Sequence, residues 1–137
     1  MKRVIGIGGV FFKAQDPEKL RAWYQKHLGL EPDAYGGVVF HCPTGEKDRQ
    51  TAQTVWSLFP NDTKYFDPSS APFMINYRVE DLAGLLEQLR SEGVEVDERT
   101  EAYEYGRFGW IMDPEGNRIE LWEPGVPFVK PSGDIDA

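Results

Sequence analysis

The pattern of apolar and polar residues along this chain predicts the same order of elements twice: a strand, a helix and further strands. In its first occurrence, a β-leaning segment from Val4 to Ala14 precedes a stretch whose apolar residues recur at helical spacing. This helix is predicted to begin at Asp16-Pro17, an N-cap followed by proline at the first helical position, and to end at Gly29. Short strands are predicted next, at 38–41 and at about 53–59. The apolar residues of the helix predict one buried stripe: Leu20, Trp23, Tyr24 and Leu28.

The same order returns in the second part of the chain. Residues 73–79 predict a strand, Asp81 opens a helix and Gly93 ends it. Two strands at 108–112 and 118–122 are predicted to form a hairpin, because the residues between them include the turn formers proline, glycine and asparagine. The buried face of the second helix is predicted to hold four leucines: Leu82, Leu85, Leu86 and Leu89.

Aligning the two occurrences shows an internal repeat. Setting residues 10–13 beside 75–78 brings Asp16 against Asp81 and, after one deletion, Gly29 against Gly93. We therefore predict one α+β domain over residues 1–137. Its halves lie at about 4–62 and 72–124, the polar, proline-containing residues 61–72 connect them, and 125–137 form a C-terminal tail. The alternative is an α+β domain without internal symmetry.

Composition narrows the classes of partner. Fifteen lysines and arginines against 23 acidic residues give a net charge of −8, which disfavours nucleic acid and anionic membranes because phosphate contacts need a basic face. The single cysteine, Cys42, allows no internal disulfide. No signal peptide or membrane-spanning run is evident, so a cytoplasmic location is expected.

Two motifs carry a resemblance to a known family. The first runs from Phe11-Phe12-Lys13-Ala14-Gln15-Asp16-Pro17 into Trp23-Tyr24 and His27-Leu28-Gly29-Leu30, and the second is the segment from Asp113 to Pro124. At these residues the chain resembles the vicinal oxygen chelate superfamily, which includes glyoxalase I, bleomycin-resistance proteins and extradiol dioxygenases. The resemblance implies tandem βαβββ units that form a curved mixed sheet. This sheet is an open cup with helices outside and a ligand inside, and the resemblance also implies a homodimer.

The resemblance also implies where a metal would be held. Members of the family carry divalent-metal ligands, usually His and Glu, at positions that correspond here to Gly9, Trp56, Met74 and Glu120. Only Glu120 suits such a cation. Glycine has no side chain, the tryptophan indole can only donate a hydrogen bond, and the methionine thioether prefers soft metals. The two histidines, His27 and His41, fall elsewhere. We therefore expect no metal and no other cofactor.

The alternation of side chains along the strands predicts the contents of the cup. Glu120 is either a general base whose pKa is raised by burial or the partner of a cation, Lys13, Arg78 or Arg118. The tyrosine-rich stretch from Tyr103 to Tyr105 is predicted to cover the mouth. The side chains predicted to bind a ligand are Phe11, Lys13, Trp56, Met74, Asn76, Arg78, Phe108, Trp110 and Trp122.

These residues favour the binding of a small organic molecule and leave its purpose open. One hypothesis is a metal-independent lyase or isomerase, with Glu120 as base and Lys13 or Arg78 holding an anionic group. Its alternative is a non-catalytic protein that sequesters a cationic aromatic compound, as the acidic charge and the tryptophans suggest. A third hypothesis is a protein-interaction module that uses the scaffold and the C-terminal tail.

Overall fold

The fold was analysed in a computed structural model, which describes residues 3–34, 36–41 and 53–125. Cys42 and the predicted tail beyond Gly125 lie outside the described residues. The elements are β1 (Gly6–Ala14), α1 (Pro17–Leu28), β2 (Val38–His41), β3 (Gln53–Pro60), β4 (Phe73–Arg78), α2 (Leu82–Ser91), β5 (Glu95–Val96), β6 (Glu101–Tyr103), β7 (Gly106–Met112) and β8 (Arg118–Pro124).

All eight strands form one mixed sheet that does not close on itself. The strand order is β2-β3-β1-β4-β8-β7-β5, and β6 pairs with β7. In each half the first strand pairs in parallel with the last, β1 with β3 and β4 with β8. The antiparallel pair of β1 and β4 joins the two halves within one chain. The predicted α+β class and the tandem arrangement are therefore confirmed.

The helices begin and end where the sequence predicts. Asp16 accepts a hydrogen bond from the backbone N–H of Lys19 at 3.1 Å, and Asp81 accepts one from Gly84 at the same distance. Gly29 ends α1 in the left-handed conformation with a φ of 71°. No helix in the described ranges has the length and apolar character needed to cross a bilayer.

The two helices differ in what they bury. Helix α2 packs Leu82, Leu85 and Leu86 against Leu121 of β8 and against Val79, which follows β4. Helix α1 has no fully buried residue.

The prediction of one buried stripe on α1 is wrong. Trp23 is 51% exposed and Leu28 is 60% exposed. Tyr24 packs against Phe12 and Trp56, whereas the ring contacts of Trp23 are with Tyr24 and His27 on its own helix. Apolar spacing specifies a face of a helix but not whether the sheet covers the whole of it.

The opposite face of the sheet holds a second apolar cluster. Phe66, Met74 and Trp110 are fully buried there, with Phe11, Phe59, Tyr65 and Phe108 packed around them. Phe66 and Tyr65 come from residues 61–72, the connection between the halves. The sheet therefore has a helix-covered face and a concave, aromatic face, which we call the cup face.

The difference between the helices predicts unequal costs for one substitution. Leu85→Ala should lower the free energy of unfolding by about 2–5 kcal/mol, because it removes a buried side chain and leaves a cavity. Leu28→Ala, the matched control on α1, should change it by less than about 0.5 kcal/mol. Urea denaturation followed by circular dichroism measures both values. Equal losses would contradict the exposed position of Leu28.

Candidate functional site

The centre of the cup face is the carboxylate of Glu120. The residue is 2% exposed and lies on β8. Asn76 Nδ2 donates to Oε1 at 2.6 Å, Trp110 Nε1 donates to Oε2 at 2.9 Å, and the Tyr65 hydroxyl also donates to Oε2. A buried carboxylate needs such partners, because an unpaired charge in an apolar interior costs several kcal/mol.

Strand register explains why these groups meet. Asn76 on β4 lies directly opposite Glu120 in the parallel pair, and Trp110 on β7 lies opposite it in the antiparallel pair. Directly paired residues point to the same face of a sheet, so both side chains turn towards the carboxylate. Tyr65 arrives separately, from the connection between the halves.

Burial and hydrogen bonding act in opposite directions on Glu120. Burial raises the pKa of its carboxyl above the ordinary 4.5, while the three donors and the charge of Arg118 work to lower it. Burial and the neighbouring Glu120 also raise the pKa of Tyr65. Tyr65 therefore keeps its proton and acts as a hydrogen-bond donor.

A cavity of about 260 Å³ opens beside this carboxylate. It is mostly aromatic, with one carboxylate and one amide among its walls. The structure brings five predicted residues together here: Phe11, Asn76, Phe108, Glu120 and Trp122. The other lining residues are Gly8, Val55, Phe59, Tyr65 and Tyr105.

Two glycines on β1 make room at the cavity floor. A β-carbon at position 8 would overlap the Oδ1 atom of Asn76 and press on the ring of Trp122. A β-carbon at position 9 would press on the ring of Phe11. The register of β1 shifts between Ile7 and Gly9, so both glycines serve this face.

Five of the predicted binding residues do not line the cavity: Lys13, Trp56, Met74, Arg78 and Trp110. Trp56 packs against Tyr24 of α1, on the helix-covered face, and its predicted place in the cup is corrected. The repeat alignment is one residue out of step there, since Val55 and Phe59 point into the cavity. Lys13 Nζ lies 5.6 Å from the centroid of the Phe66 ring, outside the cavity lining.

Arg78 also has a place different from the predicted one. Its guanidinium donates to the backbone carbonyls of Ile7 at 3.2 Å and Gln53 at 3.0 Å. It therefore braces β1 and β3 from β4 and does not line the cavity. Met74 and Trp110 lie behind the cavity wall, in the buried cluster on this face.

The predicted ion pair of Glu120 is not formed. Arg118 pairs instead with Asp97, with Nη1 3.3 Å from Oδ2, and its guanidinium lies 5.1 Å from the ring centroid of Trp110. Each hydrogen bond observed on the Glu120 carboxylate comes from a neutral group.

The turn between β6 and β7 contributes to the cavity lining. Tyr105 lines the cavity, and Tyr103 stacks on it with ring centroids 5.2 Å apart. Trp122 Nε1 donates to the carbonyl of Tyr105 at 2.9 Å, which ties this turn to β8. The tyrosine-rich stretch thus borders the cavity, and its place at the mouth remains a prediction.

Tyr65 is the contact that the sequence analysis missed. Residues 61–72 were interpreted as a polar connection, yet Tyr65 reaches Glu120 and Phe66 is completely buried. The available signal was a pair of adjacent aromatic residues inside an otherwise polar segment. Such residues are costly to leave in water and usually find apolar contacts.

The residues present do not fit a divalent metal ion. A cation needs several acceptors around it, whereas Tyr65, Asn76 and Trp110 all direct hydrogen atoms at the only carboxylate of the site. Within the described ranges, no group of three or more His, Cys, Asp or Glu residues is arranged to hold a metal.

The raised pKa of Glu120 predicts how stability depends on pH. A carboxyl with a raised folded-state pKa favours folding below its ordinary value of 4.5, and this contribution is lost as the pH rises through the raised value. The unfolding free energy of the wild type should therefore fall relative to that of Glu120→Gln as the pH rises from about 4.5. Urea titrations at several pH values measure the difference, with the exposed substitution Glu98→Gln as control. Parallel curves for wild type and Glu120→Gln would contradict a raised pKa.

Comparison with known proteins agrees with this architecture. Among solved structures, a methylmalonyl-CoA epimerase from Mycobacterium tuberculosis is 25% identical, with a TM-score of 0.60 and 91% of each chain covered. A variant of the Streptomyces coelicolor methylmalonyl-CoA epimerase, in complex with 2-nitronate-propionyl-CoA, is 13% identical, with a TM-score of 0.65. The match covers 90% of this chain and 96% of that one.

A third similar structure is a glyoxalase/bleomycin resistance protein/dioxygenase superfamily member from Vibrio splendidus 12B01. It is 10% identical, with a TM-score of 0.55, and the match covers 85% of this chain and 97% of that one. No curated protein sequence matches. The family model described as Glyoxalase/Bleomycin resistance protein/Dioxygenase superfamily matches residues 6–121. The chain therefore belongs to this superfamily.

Proposed function

We propose that this protein binds a small organic molecule in the cup-face cavity, without the help of a metal ion. The observation that carries the proposal is the buried Glu120 carboxylate, which forms part of an otherwise mostly aromatic cavity wall. Ligand sites commonly combine an apolar lining with a few polar groups that fix orientation.

The size and the lining of the cavity limit the ligand. A volume of about 260 Å³ lies just below the range of drug-sized pockets, which begins at about 300 Å³, so a compact molecule is favoured. The rings of Phe108 and Trp122, which stack with an interplanar angle of 4°, form part of the cavity wall. A planar, apolar body suits this wall.

Filling the cavity provides a direct test. Val55→Phe should place a ring in the cavity and weaken binding by about tenfold or more, since the ligand and the new side chain would compete for one volume. Val39→Phe, on the exposed surface of β2, is the matched control and should leave binding unchanged. Binding of a library of compact aromatic compounds is measured by isothermal titration calorimetry.

Three outcomes would contradict the proposal, two from that experiment and one from a separate metal analysis. One is the absence of binding by any compound, and another is equal binding by Val55→Phe and wild type. The third concerns the metal: elemental analysis of protein purified without chelators should find far less than one equivalent of zinc, nickel or iron. About one equivalent would contradict binding without a metal.

A second candidate is a proton-transfer enzyme of the isomerase or lyase type, with Glu120 as the base. Two observations favour it: the raised pKa of a carboxyl that borders the cavity, and the 25% identity to an epimerase. The basic pair predicted to hold an anionic substrate does not support it, because Lys13 and Arg78 lie outside the cavity lining.

Exchange of a ligand's carbon-bound hydrogen separates the two candidates. If Glu120 is a base, a bound ligand with an acidic C–H should exchange that hydrogen with deuterium oxide, as followed by NMR. The rate should fall by about a hundredfold or more in Glu120→Gln, because the amide cannot take the proton. Binding without exchange would leave sequestration, the alternative predicted for cationic aromatic compounds, as the function of the cavity.

The predicted homodimer remains a prediction, which light scattering on the purified chain would measure.

A further inference from the structure

At the cavity floor, most hydrogen-bond donors are already paired within the protein, whereas some acceptors are not. The hydroxyl of Tyr65 and the indole N–H groups of Trp110 and Trp122 each have one hydrogen, and each donates it to a protein acceptor. Asn76 Nδ2 donates to Glu120 as well. Apart from the second hydrogen of the Asn76 amide, the donors closest to the carboxylate are therefore committed within the protein.

Acceptor capacity remains at the same place. The two oxygens of a carboxylate offer about four acceptor sites, and Glu120 receives three hydrogen bonds. The Oδ1 atom of Asn76 is buried and has no hydrogen-bond partner among the described residues. An unpaired buried acceptor is unfavourable, so a hydrogen-bond donor from a ligand would stabilise it.

The orientation of the Asn76 amide is fixed by its surroundings. Its nitrogen must face the carboxylate of Glu120, since an amide oxygen there would meet another acceptor. Its oxygen consequently faces Gly8, which has no side chain to displace it. The floor of the cavity thus presents acceptors from two different strands, β4 and β8.

We infer that the cavity selects a compact, planar molecule whose inner end carries a hydrogen-bond donor, an N–H or O–H group, that Glu120 and Asn76 accept. This inference rests on the proposed function and adds the polarity of the ligand's head group. A ligand that presents only acceptors, such as a carboxylate, meets the lone pairs of Glu120 and is rejected. The aromatic rings above the floor hold the apolar body in either case.

Two ring systems of nearly equal shape test this polarity on the unmodified protein. Indole carries an N–H where benzofuran carries an ether oxygen, and 1-methylindole replaces the same hydrogen with a methyl group. Isothermal titration calorimetry should show indole binding about tenfold tighter than either analogue, the ratio expected when one buried hydrogen bond is lost. Benzoate should bind more weakly than indole.

A variant tests whether Glu120 accepts the hydrogen bond from the ligand's N–H or O–H group. Glu120→Gln replaces one carboxylate oxygen with a donor and should reduce the preference for indole over benzofuran to about twofold or less. Equal or tighter binding of benzofuran or benzoate by the unmodified protein would overturn the inference, whether or not the variant folds. If other compounds of the library bind but indole does not, the inference alone fails. If no compound binds, the proposed function fails with it.

Discussion

Burial of one ionisable group places the strongest constraint on this structure. A carboxylate removed from water is tolerated only where hydrogen bonds replace its hydration, and the Glu120 donors come from β4, β7 and the connection between the halves. Each must arrive within about 3 Å of the same two oxygens, so strand register and the path of the connection are fixed together. The glycines of β1 belong to the same constraint, because a side chain at position 8 would displace the Asn76 amide.

The two faces of the sheet have different roles: one packs against α2 in the core, and the other lines the cavity. Leucines of α2 pack on Leu121 and make an ordinary core, whereas the neighbouring residues Glu120 and Trp122 turn the other way into the cavity. Because side chains alternate along a strand, one short segment of β8 contributes to the core on one face and lines the cavity on the other. A family scaffold can thus change its chemistry on the cup face and keep its helix-covered core.

The sequence predicted the fold more completely than the site. Caps, glycine stops and leucine spacing are local signals, and they located both helices and the β7–β8 hairpin. The alternation along β4 and β8 placed Asn76, Glu120 and Trp122 on one face, because strict period-two geometry applies there. The alignment of the two repeats misplaced Trp56, because repeats of low sequence identity do not determine strand register to within one residue. The path of residues 61–72 and the partners of Arg118 depend on long-range packing, which local patterns do not encode.

The connection between the halves contributes a hydrogen-bond donor to only one of the two repeats, the second. Pseudo-symmetry supplies two similar strand pairs, yet Tyr65 crosses to the carboxylate of the second half. Neither half holds the complete hydrogen-bond set, because Tyr65 lies in the connection at 61–72, outside both halves. A chain cut between Tyr65 and β4 would therefore keep two recognisable strand units but separate the tyrosine from the carboxylate that it contacts. What looks like a duplicated domain behaves, at its centre, as one indivisible unit.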